Sequence, residues 1–154
     1  MSDSDTAPQP EEREPAQQGG DVLLAYVVDM LNGVGDALEP GQDVAAGISL
    51  VVAGRTIAGE LVNAQAWLDE EAAQFRAAGE GAGELARVIT ESLARGVDTV
   101  RAGYEPESNR PVGFLHLRNV TVFDGGTELR SNLMRVRIES VDAWTMGRWQ
   151  RLPG

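Results

Sequence analysis

The apolar residues of this chain change their spacing three times, and this restricts the fold more than any other feature of the sequence. Val22, Tyr26 and Met30 recur at helical intervals, whereas residues 48–62 alternate as strands do. Helical spacing returns over residues 64–93, and alternation over residues 114–149. The sequence therefore predicts a helix, two strands, two helices and three strands, an α+β order within one domain over residues 21–154.

The first helix is predicted over residues 21–33, with Asp21 as its N-cap and with Gly33 and Gly35 at its end. Six apolar residues form a stripe along it: Val22, Leu23, Tyr26, Val27, Met30 and Leu31. Such a stripe either packs on a core or mediates a dimer.

A strand hairpin and a helical hairpin follow. The strands over residues 43–62 turn at Ala53-Gly54-Arg55. Two consecutive helices are predicted within residues 63–96, and they are expected to pack antiparallel to each other. Their boundaries are marked by Asn63 as N-cap, the connection Gly79-Glu80-Gly81-Ala82-Gly83 and a stop at Gly96.

The last strands are predicted over residues 113–150. The alternation slips near Arg118-Asn119, which indicates a β-bulge. Turns follow at Asp124-Gly125-Gly126 and at Glu139-Ser140. A short N-terminal helix followed by five strongly bent strands is the layout of Sm-like small barrels, here with a helical hairpin inserted between strands 2 and 3. An open five-stranded sheet covered by helices is the alternative.

Residues 1–20 are predicted to form a disordered acidic tail, because their only apolar residues are Met1, Ala7 and Ala16. The tail carries a net charge of −4, residues 21–109 carry −10, and residues 110–154 carry +3. An acidic field repels phosphate groups and anionic lipids, so neither nucleic acid nor membrane is an expected partner. A leader that is acidic where a signal peptide is basic and apolar predicts a cytoplasmic location.

The residues that commonly carry catalysis are scarce. Cysteine is absent, and His116 is the single histidine, predicted to be a surface or partly buried, hydrogen-bonded side chain. Asp69-Glu70-Glu71 is interpreted as a solvated helix face because no calcium loop surrounds it. We therefore expect no catalytic, metal or cofactor site, and a protein that is not an enzyme.

The end of the chain holds the candidate interaction residues. They are Arg135, Arg137, Trp144, Arg148 and Trp149, with Arg151 as a further arginine. The tryptophans either fill the core on the final strand or anchor a partner. The arginines predict a basic patch on an acidic molecule, and opposed patches favour head-to-tail self-association into a homo-oligomer.

Three segments follow one another in a characteristic order. They are Ile48-Ser49-Leu50 with Gly54 and Ile57-Ala58-Gly59-Glu60-Leu61-Val62, Ala64 and Trp67-Leu68; Phe114-Leu115-His116-Leu117-Arg118-Asn119; and Arg137-Ile138-Glu139-Ser140-Val141-Asp142-Ala143-Trp144-Thr145-Met146-Gly147. In this order and spacing the chain resembles the gas vesicle accessory protein U family.

The resemblance implies an accessory protein encoded with gas vesicle genes, which is not the shell subunit and which promotes vesicle clustering through multivalent association. It carries over no catalytic or ligand residue. The chain departs from the family pattern because the polar tail expected after the domain is missing and an acidic one precedes it.

The leading hypothesis is thus a self-associating module that binds a protein surface, either the gas vesicle shell or another gas vesicle protein, and so resides in the cytoplasm or at the vesicle surface. An Sm-like RNA-binding protein is the alternative, and a metal- or substrate-binding enzyme domain is the third.

Overall fold

A computed structural model describes residues 20–39, 42–103 and 113–149 of the chain. The predicted tail, apart from Gly20, lies outside them. The elements are α1 (Val22–Asp36), β1 (Ala45–Val52), β2 (Arg55–Val62), α2 (Ala64–Gly79), α3 (Glu84–Ala102), β3 (Phe114–Asp124), β4 (Thr127–Arg137), a 3₁₀ turn (Ile138–Ser140) and β5 (Ala143–Met146). The predicted α+β class is confirmed.

The five strands form one antiparallel sheet in the order β4-β3-β2-β1-β5, so the last strand returns to lie beside the first. Positive φ angles at Ala53 and Gly54, and at Gly125 and Gly126, allow two-residue turns whose twist matches that of the flanking strands. The helical hairpin enters between strands 2 and 3, as the sequence predicts.

The predicted bulge lies at Asn119. Ala58 pairs with Thr121 while Glu60 pairs with Arg118, so β3 carries one residue more than β2 between these pairs. Asn119 takes a φ of 52°, a left-handed conformation that asparagine tolerates better than most side chains. The extra residue changes the face on which the following residues lie, and Val120 therefore joins Leu117 in the core.

Helices cover both faces of the sheet. The larger core joins α1 to the strands, and consists of Leu24, Val28, Leu31, Ile48, Leu50, Ile57, Leu61, Leu115, Leu117, Val120, Val136 and Ile138. A smaller cluster of Val62, Trp67 and Leu68 lies beneath α2. Successive strand residues point to opposite faces, so the neighbours Leu61 and Val62 contribute to different cores.

Two predicted helix ends are wrong, and one predicted N-cap residue occupies its position without the expected side-chain hydrogen bond. α1 continues past Gly33 and Gly35, and α3 continues past Gly96 to Ala102. Tertiary packing explains why a glycine stands at position 35 inside the helix, because a Cβ there would lie 2.1 Å from the Asn63 side chain. Asn63 occupies the N-cap position of α2 without a capping hydrogen bond from its side chain. The Ala64 amide instead donates to Oδ1 of Asn32, on α1, at 2.9 Å.

Candidate interaction surfaces

The outward side of α1 is as apolar as its core side. Leu24 and Val28 are buried, whereas five large side chains opposite them are 47% to 83% exposed: Val22, Leu23, Tyr26, Met30 and Val34. Of the stripe predicted from the sequence, only Val27 and Leu31 pack on the core. We call the five exposed residues the outer face of α1. Because a helix that is apolar all round is normally covered on every side, this face is a candidate docking surface.

The helix α3 also presents apolar side chains outward. Leu85, Val88, Ile89, Leu93 and Val100 are 48% to 74% exposed, and we call them the outer face of α3. The side that meets α2 is made of smaller residues, among them the fully buried Ala94. The two helices approach closely there, since a Cβ on Gly79 would lie 2.1 Å from Oγ1 of Thr90.

Ion pairs lie on the side of α3 that meets α2. Nε of Arg101 lies 3.1 Å from the Asp69 carboxylate, and Arg76 contacts both Glu91 and Asp98. These pairs are solvent-exposed and each contributes little stability. They lie on the side of α3 opposite its large apolar residues, so the orientation they favour leaves the outer face of α3 in solvent.

Arg135 and Arg137, two of the predicted interaction residues, lie together around one aromatic ring. Their guanidinium carbons are 3.8 Å and 5.7 Å from the centre of the Phe114 ring. Arg137 also pairs with Glu139 at 2.8 Å. Burial lowers the pKa of Arg135, and no ion pair of Arg135 occurs within residues 20–39, 42–103 and 113–149. This end of β4 therefore carries cationic groups that an acidic partner can reach.

Trp144 is half-buried against the main core rather than fully exposed. Its indole Nε1 donates to Oδ2 of Asp21 at 2.8 Å. The same carboxylate caps α1 by accepting from the amides of Leu23 and Leu24. The Leu24 amide and then the Trp144 indole lower the pKa of Asp21. Asp21 is thus the N-cap that the sequence predicts, and it also joins α1 to β5.

Arg148 and Trp149 follow β5. The Arg148 guanidinium donates to the carbonyl oxygen of Asn119 at 3.0 Å, and the Trp149 amide donates to Ser49 Oγ at 2.8 Å. The Trp149 side chain is 46% exposed. Arg148 also borders an open polar cleft of about 520 Å³, lined by Asn119, Val120, Thr121, Arg130, Ser131, Asn132 and Arg148. Arg151 lies outside the described residues.

A cluster of charges surrounds Arg118 at the bulge. Its guanidinium lies 2.5 Å from Asp43, 2.8 Å from Glu70 and 3.3 Å from Glu60. The hydrogen bond to Asp43 raises the pKa of Arg118 above its ordinary value. Nδ2 of Asn119 donates to Glu60 at 2.8 Å. The cluster joins β2, β3, α2 and the segment before β1, which indicates a structural role.

His116 is buried, contrary to the prediction of a surface or partly buried, hydrogen-bonded histidine. It is 6% exposed, its ring centre lies 5.1 Å from that of Trp67, and its Nδ1 has no hydrogen-bond partner within the described part of the chain. Burial, with the charge of Arg135 adding to it, lowers the pKa of His116 from 6.5 to about 4. The imidazole is therefore neutral at physiological pH.

Two negative findings hold for the residues that the structure describes. There, the His, Asp and Glu side chains form no group of three or more that could hold a metal ion. Likewise, none of the described helices combines the length and the apolar character needed to cross a membrane.

The interaction residues predicted from the sequence omit the outer face of α3. The spacing of Leu85, Val88, Ile89 and Leu93 is visible in the sequence, but spacing alone does not say whether a stripe faces a core or solvent. The sequence feature that could have shown that this stripe faces solvent is the pairing of Asp69 with Arg101 across the helical hairpin. Pairs of this kind turn the side of α3 that carries Arg101 toward α2 and leave the apolar side in solvent.

One comparison with known proteins agrees with the resemblance noted in the sequence. A family model described as gas vesicle protein GvpU-like matches residues 21–149. No curated protein and no solved structure matches the chain.

Proposed function

The chain belongs to the GvpU-like family of gas vesicle proteins, and on that premise we propose that it is a non-enzymatic interaction module that binds a protein on the vesicle surface and associates with itself. A module with both contacts links one vesicle to another. Each contact can be weak, because many copies on one vesicle act together.

The observation that carries this proposal is the position of the exposed apolar residues. Of the thirteen large hydrophobic side chains exposed among the described residues, ten belong to the outer faces of α1 and α3. Scattered apolar residues on a surface are ordinary, whereas two helix faces of five residues each are typical of binding surfaces. A protein with two separate docking faces is suited to bridging.

We assign the outer face of α1 to the vesicle-borne protein, which is the shell protein or a protein attached to it. The only titratable side chains described on α1 are Tyr26 and Asp29. The chain as a whole carries a charge of −11. An apolar patch with basic groups around it is therefore the complementary partner surface.

Floatation of purified gas vesicles tests the proposal. Wild-type protein is expected to rise with the vesicles and to increase their light scattering by clustering. The double variant Tyr26→Asp/Met30→Asp is expected to stay in the infranatant, because it places two charges on the outer face of α1. Leu129→Asp is the matched control, since Leu129 is 57% exposed on β4, away from both helix faces.

Two results contradict the proposal. One is wild-type protein that neither floats with vesicles nor alters their scattering. The other is equal binding by wild type and the α1 double variant, which would place the vesicle contact elsewhere, for example at Arg135, Arg137, Arg148 or Trp149.

RNA binding in the Sm manner is the second candidate, and the cleft bordered by Arg130 and Arg148 is the observation in its favour. Its described lining contains no aromatic residue on which a base could stack, and Arg130 already pairs with Glu128. Filter binding at low salt distinguishes the two functions. Retained RNA whose affinity falls steeply with salt would favour the RNA-binding function.

A further inference from the structure

The outer face of α3 has a size pattern that reverses along the helix. Along the middle of the face, Leu85 and Ile89 are large and lie in the N-terminal half, whereas Ser92, Gly96 and Thr99 follow and are small; the large Leu93 and Val100 lie along one edge. No atom lies within 4 Å of the place where a Cβ on Gly96 would stand, so this position is open toward the outside. The middle of the face thus has large side chains at one end and room for large side chains at the other.

We propose that this face binds the same face of a second copy of the chain, with the two α3 helices antiparallel. A two-fold axis near Ser92 and Leu93 brings Ile89 of one copy over Gly96 of the other, and Leu85 toward Val100. In a parallel pair each glycine would instead meet a glycine and leave a gap. The proposal deepens the proposed function, on whose self-association it rests, by naming the surface and the partner.

The polar groups on this face can be buried without loss of hydrogen bonds. The Ser92 hydroxyl already donates to the Val88 carbonyl at 2.8 Å, and the Thr99 hydroxyl donates to the Arg95 carbonyl at 2.9 Å. Their donors are satisfied within the helix, so a partner that excludes water from them costs little.

The N-terminal tail of the same chain is a less suitable occupant of the outer face of α3. Residues 1–19 include only Met1, Ala7 and Ala16 as apolar residues, and their net charge is −4. That segment has little apolar surface to offer a face of leucine, isoleucine and valine.

Light scattering during size exclusion of the full chain measures the dimer without any vesicle. The wild type is expected to show twice the monomer mass of 16.5 kDa at high concentration and to dissociate on dilution. Ile89→Glu is expected to weaken the dimer at least about tenfold by placing a charge in the interface. Gly96→Leu is expected to weaken it too, although it adds apolar surface, because it fills the space that receives Ile89.

Tyr26→Asp/Met30→Asp is the control that keeps the dimer and changes only the outer face of α1. A wild type that is monomeric at every concentration would overturn the proposal. So would a dimer that survives Ile89→Glu, or one that is strengthened by Gly96→Leu. Circular dichroism of each variant confirms that the fold is retained, as expected for exposed positions.

The orientation has its own test, because the chain has no cysteine. Under mild oxidation Ser92→Cys, next to the axis, is expected to form a disulfide-linked dimer, whereas Leu85→Cys is not. Equal cross-linking by both variants would indicate a parallel pair and refute the antiparallel geometry. Vesicle floatation is scored separately, so a failed dimer and a failed vesicle contact are distinguishable.

Discussion

Trp144 and Asp21 are joined by a hydrogen bond of 2.8 Å, although 123 positions separate them in the chain. One carboxylate oxygen of Asp21 caps α1, and the other accepts the indole proton of Trp144 on β5. The contact therefore connects the first helix, whose outer face is assigned to the vesicle, to the last strand of the sheet.

Substitution of Asp21 is expected to separate these two roles. Asp21→Asn keeps an acceptor for the helix amides but turns a donor toward Trp144, so its free energy of unfolding should lie between those of wild type and Asp21→Ala. In a Trp144→Phe background the loss caused by Asp21→Asn should vanish, which urea denaturation measures as a double-mutant cycle. Additive losses would show that the two residues are not coupled.

The pH dependence of this link has a defined sign. Because the folded state lowers the pKa of Asp21 below its ordinary value of 3.8, the stability it contributes is complete above that value. It is lost as the pH falls through the lowered pKa.

Local patterns were sufficient for the order of elements, the β-bulge at Asn119 and the cap at Asp21. They failed where tertiary contacts decide, as at Gly35, where the Asn63 side chain requires a glycine inside a helix. The same reason applies to the two outer helix faces. A stripe such as Leu85 to Leu93 looks alike in sequence whether it packs inside or binds a partner, and only the position of α2 distinguishes the cases.

Two glycines of α1 are expected to respond in opposite ways to alanine. Gly33 has no atom within 4 Å of the place a Cβ would take, so Gly33→Ala should raise the free energy of unfolding by about 0.5–1 kcal/mol through helix propensity. Gly35→Ala should lower it, because its Cβ would collide with Asn63. Urea denaturation of the two variants measures both effects, and equal changes would show that α1 does not pack against Asn63 as described.

Arg118 is expected to matter more than an ordinary surface arginine, because it is only 24% exposed and three carboxylates surround it. Arg118→Met should cost about 2 kcal/mol, between the values for exposed and buried ion pairs, since it leaves the acids without a cation. Arg118→Lys should cost less but cannot contact all three acids at once. Salt should reduce the loss of unfolding free energy in Arg118→Met, measured by urea denaturation, because it screens the repulsion among the carboxylates. A loss that salt does not change would contradict the electrostatic cause.

His116 is expected to make the fold sensitive to mild acid. Its pKa in the folded protein is about 4 against 6.5 for the free side chain, so between these values the unfolded chain binds a proton that the folded chain does not. The free energy of unfolding should therefore fall as the pH drops through this interval, by about 1.4 kcal/mol per unit and on the order of 3 kcal/mol in all.

His116→Leu is the variant that isolates this effect, because leucine has a similar volume, does not titrate and removes the Nδ1 that lacks a partner in the described part of the chain. The carboxylates titrate alike in both proteins, so the difference between their urea midpoints reports His116 alone. That difference should grow from pH 7 to pH 4 in favour of the variant. Parallel pH profiles would show that the imidazole is accessible to protons in the folded state. The packing of α2, with its Trp67, over His116 would then not exclude water from the ring.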